Sequence, residues 1–150
     1  MAETSKEITT LNTLTATLID SITGYRDAAK DAQSTRFQEL FRKFADDRQL
    51  VVDGLRAQVT RLGGNPEDDG SFLGKSHQRF MDLKSAITGH DDKAIINEVE
   101  RGEDYLKDKF ETVLNDIDLS PESRTAVEQA FASVRQGHDQ MSDLKHGMEA

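Results

Sequence analysis

"GGNPEDDGSFLGKSHQRFMDLKSAITGHD", residues 63–91, decides how this chain folds. On both sides of it apolar residues recur at helical spacing, and no run alternates as a strand would. Gly63-Gly64-Asn65-Pro66 is a helix stop, since glycine accepts the left-handed turn past the last carbonyls and proline cannot continue the helix. "NPEDDGS" (65–71) reads as loop. A short amphipathic helix is predicted over about 72–87, using Leu73, Phe80, Leu83 and Ile87. Thr88-Gly89-His90 ends it, and Asp91 can cap the next helix. So long a stretch is more than a turn needs. A linking helix of ~16 residues covers roughly 24 Å, most of the length of a bundle.

Working outward, four long helices are predicted, over about 5–30, 35–62, 92–117 and 121–145. Thr4 and Glu7 resemble a capping box for the first, whose stripe is Ile8, Leu11, Leu18, Ile22 and Tyr25. The second follows Ser34, a fitting N-cap, and carries Phe37, Phe41, Phe44, Val51, Leu55, Val59 and Leu62. The third uses Val99, Leu106, Phe110 and Val113. The fourth opens at Ser120-Pro121, an N-cap followed by proline in the first turn, and uses Val127, Phe131, Val134, Met141 and Leu144. Fraying is expected after Lys145. Helices of ~26–29 residues span roughly 40 Å. Tight connections make two antiparallel hairpins, and the crossover between them makes the second and third helices parallel. The expected architecture is all-α: one domain over 1–150, a ferritin-like four-helix bundle with a long crossover carrying a fifth, shorter helix.

"LNTLTATLIDSITGY" (11–25), "LRAQVTRLGGNPEDDGSFLG" (55–74), "HQRFMDLKSAI" (77–87) and "NEVERGEDYLKDKFETVL" (97–114) carry a family likeness. Together they resemble an uncharacterised bacterial family of ferritin-like four-helix-bundle proteins, a domain of unknown function. The likeness runs from about Glu7 to about Leu144. It implies a fold, a bacterial origin and a stress-related or housekeeping role, and it implies no activity.

Composition narrows the function classes. The 150 residues include no cysteine, which excludes disulfides and thiolate metal sites. The formal net charge of −9 repels phosphate backbones and anionic lipid, so neither nucleic acid nor membrane is an expected partner. The first residues lack an apolar leader, no run has the ~20 apolar residues of a membrane span, and a cytoplasmic location is expected. There is no phosphate-binding glycine loop, no Gly-x-Ser-x-Gly elbow and no EF-hand pattern around Asp68-Asp69-Gly70.

Ferritin-like oxidases place a Glu on each of two helices and Glu-x-x-His on each of the other two. Against that demand the chain offers Glu103 at the centre of the third stripe, Glu100 at its edge and His138 at the border of the fourth. These three are the candidate ligands for iron or manganese. The helix that should supply Glu-x-x-His reads Asp47-Arg48-Gln49-Leu50, and Arg135 stands three residues before His138. Asp20 falls about 170° from the centre of the first stripe at a period of about 3.6 residues. His77, His90 and His146 read as surface or capping residues.

A different role for Glu103 follows from position. Arg48 is central on the second stripe, and parallel second and third helices place it within about 3 Å of Glu103 in height. Arg48, Glu103 and His138 are therefore expected to share one buried polar layer, in which an unpaired charge would be costly and a hydrogen-bonded pair tolerable. The leading expectation is a non-enzymatic, self-associating bundle with no cofactor. The alternative is a metal-binding protein or oxidase with a degenerate iron or manganese site. Phe37, Phe41 and Phe44, with Leu40 and Val52, form the broadest apolar arc, expected to serve the core and a contact between copies.

Overall fold

The computed structural model describes residues 2–66, 92–116 and 118–149. The predicted helix over 72–87, the cap at Asp91 and the histidines at 77 and 90 lie outside the described residues. Four helices run over Ala2–Asp31 (α1), Thr35–Arg61 (α2), Asp92–Asp116 (α3) and Pro121–Glu149 (α4). Regular structure among the described residues is entirely helical. No helix there is long and apolar enough to cross a membrane.

Two ends differ from expectation. α1 starts at Ala2, ahead of Thr4, so the expected capping box does not mark its beginning. α4 continues past Lys145 to Glu149. The end of α2 follows the glycine logic. Gly63 adopts φ +87, and the amides of Gly63 and Gly64 donate to the carbonyls of Thr60 and Val59, each at 3.0 Å. At Gly64 a β-carbon would stand 2.7 Å from Ile8 Cγ2, so α1 can lie close only because that side chain is absent.

Two contacts orient the hairpins. Asn12 Nδ2 donates to the Asn65 carbonyl at 2.9 Å, which sets the end of α2 beside the start of α1. At the other end, Asp92 in the first turn of α3 accepts the amides of Gln33 and Ser34 at 2.8 and 3.1 Å. The chain therefore leaves α2 at one end of the bundle and enters α3 at the opposite end. α1 packs on α2 and α3, and α4 packs on α3 and α2. Every neighbouring pair is antiparallel, and the diagonal pairs, α1 with α4 and α2 with α3, are parallel.

Leu11, Leu18, Leu55, Leu106, Phe110 and Val134 are fully buried along the shared axis. Each large apolar side chain removed from water contributes about 1.5–3 kcal/mol, set against the entropy of ordering the chain. Of the broad arc on α2, Phe41, Phe44 and Val52 are core, while Phe37 and Leu40 are half-buried. Tyr25 stacks on Phe44 with ring centres 5.4 Å apart, and Phe110 stacks on Phe131 at 6.1 Å. α1 is enclosed more completely than an amphipathic stripe requires. Leu14 to Leu18 are buried without interruption, and Asp20, opposite the stripe, is also buried.

Candidate functional site

Arg48 is the largest wholly buried side chain among the described residues, and its charge is met from α3. Its Nη1 donates to Glu103 Oε1 at 2.8 Å, and its Nη2 donates to Glu103 Oε2. Both side chains are 1% exposed. This is the two-pronged geometry in which a guanidinium matches a carboxylate best. Nη1 also donates to Ser21 Oγ at 2.9 Å, and that hydroxyl donates in turn to the Leu18 carbonyl at 2.8 Å. The Tyr25 ring lies against the guanidinium, with its centre 5.3 Å from Cζ, a favourable cation–π placement.

The fourth helix contributes an absence. A β-carbon on Gly137 would stand 2.7 Å from Arg48 Nη2 and 2.7 Å from Glu103 Oε2. Only glycine lets α4 close over the pair. Thus α1 supplies Ser21 and Tyr25, α2 Arg48, α3 Glu103 and α4 the bare backbone of Gly137. All four helices meet on one rung.

Burial opposes the Arg48 charge, but the Glu103 carboxylate outweighs it and holds the guanidinium pKa above its ordinary value. Arg48 is a cation at any working pH. Burial, reinforced by the same carboxylate, pushes the Tyr25 phenol well above its usual range. A phenol that stays neutral is a poor proton carrier, and both Glu103 oxygens are already engaged by Arg48. The rung is built to stay as it is.

Arg48 and Glu103 are thus brought together, and the other two predicted residues are not. His138 does not join the layer. It turns outward, with Nε2 on Asp104 and Nδ1 3.2 Å from Asp139. Gly137 takes the inward position, and the next residue lies about 100° further round the helix. Burial pulls the His138 pKa down, but hydrogen bonds to Asp139 and Asp104 outweigh it and leave the value raised. Glu100 is 3.2 Å from Lys145 Nζ, at the edge of α3. The three candidate ligands therefore do not converge, and each is already partnered. Among the described residues no three His, Asp or Glu side chains group as metal ligands. An iron or manganese centre needs imidazole and carboxylate oxygens turned on one point. These residues do not fit it.

A second polar cluster escaped the sequence reading. Glu7 reaches across the bundle to the start of α4. Its Oε1 accepts the Ser120 amide at 2.6 Å, and its Oε2 accepts the hydroxyls of Ser120 and Ser123, both at 3.0 Å. Gln58 Nε2 donates to Ser123 Oγ at 3.0 Å. Asp92 treats the start of α2 in the same way at the other end. In each case a carboxylate from the first turns of one hairpin caps the second helix of the other. The parallel diagonals place two helix N-termini together, and a negative charge between them suits both dipoles. Glu7 and Ser120 are 113 residues apart, so local spacing carried no signal of their meeting.

One family model, Domain of unknown function (DUF2383), matches residues 6–116. The matched stretch contains Glu7, Ser21, Tyr25, Arg48, Asp92 and Glu103, and it stops before α4 and Gly137. No curated protein matches the chain significantly.

Proposed function

The chain belongs to the family described as Domain of unknown function (DUF2383), and from that premise we propose a non-enzymatic, self-associating scaffold of ferritin-like topology. In it Arg48 and Glu103 stand where related bundles would hold a pair of metal ions. The observation that carries this reading is the engagement of both Glu103 oxygens by a buried guanidinium. A permanent cation at the centre of the bundle repels a divalent ion and occupies the lone pairs that would bind it. A structural role suits such a pair, because buried ionic layers can set the register of packed helices.

Two features support the ferritin-like topology and a fifth helix over 72–87. α2 and α3 run in the same direction, and α1 is enclosed on its outward side, at Asp20 as well as along its stripe. Bacterial origin, a cytoplasmic location and a stress-related role belong to the same reading, supported by the sequence resemblance and the composition.

Elemental analysis of protein purified without a metal-binding tag, run beside light scattering, tests the proposal. The expected result is iron and manganese well below one equivalent in a species of at least twice 16.8 kDa. Near-stoichiometric iron or manganese that is lost on Glu103→Gln would overturn it.

A further inference from the structure

α2 has a second face, turned away from the core. Asp47, Leu50, Gly54, Ala57 and Arg61 follow one another at intervals of three and four, so they form one outward stripe. Leu50 is 72% exposed and is the exposed large hydrophobic residue among those described. Gly54 sits in the middle of the helix, where glycine weakens it, yet among the described residues a β-carbon there would meet nothing within 4 Å. No described neighbour requires that glycine. Beside it, Gly54, Gln58, Thr125 and Ala126 line part of an open groove of ≈ 420 Å³ between α2 and α4.

We infer that this stripe is the surface through which two copies of the chain pair, with α2 crossing α2 antiparallel about a two-fold axis at Gly54. The inference rests on the self-association proposed above and assigns it a face. Glycine at the crossing lets the two backbones approach closely. Leu50 lies one turn from the axis, opposite the partner's Ala57 and the groove beside it, and each copy offers the same knob and the same recess. That self-complementarity is what a two-fold contact requires. The charges agree with it. Asp47 and Arg61 lie seven residues to either side of Gly54, about 10 Å from the axis. An antiparallel crossing sets Asp47 of one protomer against Arg61 of its partner, twice over. Among the described residues Asp47 makes a loose 3.7 Å contact with Lys43, and the two side chains are 47% and 64% exposed.

Light scattering on the full chain decides it. The wild type should run at twice 16.8 kDa, and Leu50→Lys at the monomer mass with an unchanged helical circular-dichroism spectrum. Asp47→Arg should also give monomer, and Asp47→Arg combined with Arg61→Asp should restore the dimer. That rescue is specific to this pairing, because only the antiparallel crossing makes the two positions partners. A dimer that survives Leu50→Lys, or a double reversal that stays monomeric, overturns this face while leaving self-association in place. A wild type that is monomeric at every concentration overturns both.

Discussion

The backbone of Gly137 lies directly on the Arg48 guanidinium, where a β-carbon would come within 2.7 Å of Nη2. The helix that carries this glycine thus gives up intrinsic stability so that the charged rung can be covered. Gly137→Ala should reveal the balance. Alanine favours an exposed helix interior by roughly 1 kcal/mol, but here the methyl must displace a fixed ion pair. The expected outcome is a net loss of about 1–3 kcal/mol, read from urea midpoints. The same change at Gly54, made in the monomeric Leu50→Lys background, should raise the midpoint, since no atom stands in its way.

Breaking the pair from one side should cost more than removing it. Arg48→Ala leaves a buried carboxylate with most of its donors gone, and a loss of about 3–5 kcal/mol is expected. Arg48→Met combined with Glu103→Leu should come much closer to the wild type, because no charge is stranded. A double-mutant cycle of urea midpoints checks this. If the single losses simply add, the two residues are not acting as one unit.

The two carboxylate caps should act independently. Glu7→Gln removes the charge shared by the starts of α1 and α4, and Asp92→Asn removes the one shared by α3 and α2. Each should cost about 1–2 kcal/mol. The caps stand at opposite ends of a bundle roughly 40 Å long, so the double variant should show the sum of the two losses.

His138 should give stability a modest pH dependence. Its folded pKa is raised above the ordinary value of 6.5, so protonation favours the folded state. The stabilisation is fully present below the unfolded pKa and is lost as pH rises through the folded one. Asp104 and Asp139 are more than half exposed, which weakens the effect through solvent screening. Wild type and His138→Gln, compared by urea denaturation, should differ below pH 6.5 and converge in mildly alkaline buffer. A proton NMR titration of the His138 ring should give a midpoint above 6.5.

How much of this could be read from residues alone depends on how far apart the partners stand. Period and stop signals place the ends of α2 and α3 closely, while α1 starts earlier and α4 ends later than they indicate. The second helix was expected over about 35–62 and spans Thr35–Arg61, and the third over about 92–117 and spans Asp92–Asp116. Arg48 and Glu103 stood out because a polar residue at the centre of an apolar stripe breaks a visible rhythm. His138 is not placed by its stripe, because a residue at the border can turn either way. Its neighbour Gly137 carries no hydropathy signal to show that it faces inward. For Glu7 local spacing offers a partner in Thr4, whereas its real partners come from a helix that starts more than a hundred residues later. Asp20 falls opposite the stripe on α1, and a stripe cannot announce that the face behind it is buried as well.

Among the described residues, each half of this molecule takes part of its helix capping from the other. The α1–α2 hairpin takes the oxygens for the amides at its turn from Asp92, and the α3–α4 hairpin takes those for its second helix from Glu7. A fragment holding one hairpin would leave polar backbone bare just where the missing half should dock. Excised alone, each piece should therefore remain largely unfolded in solution, and mixing the two should bring helicity back in a single concentration-dependent step.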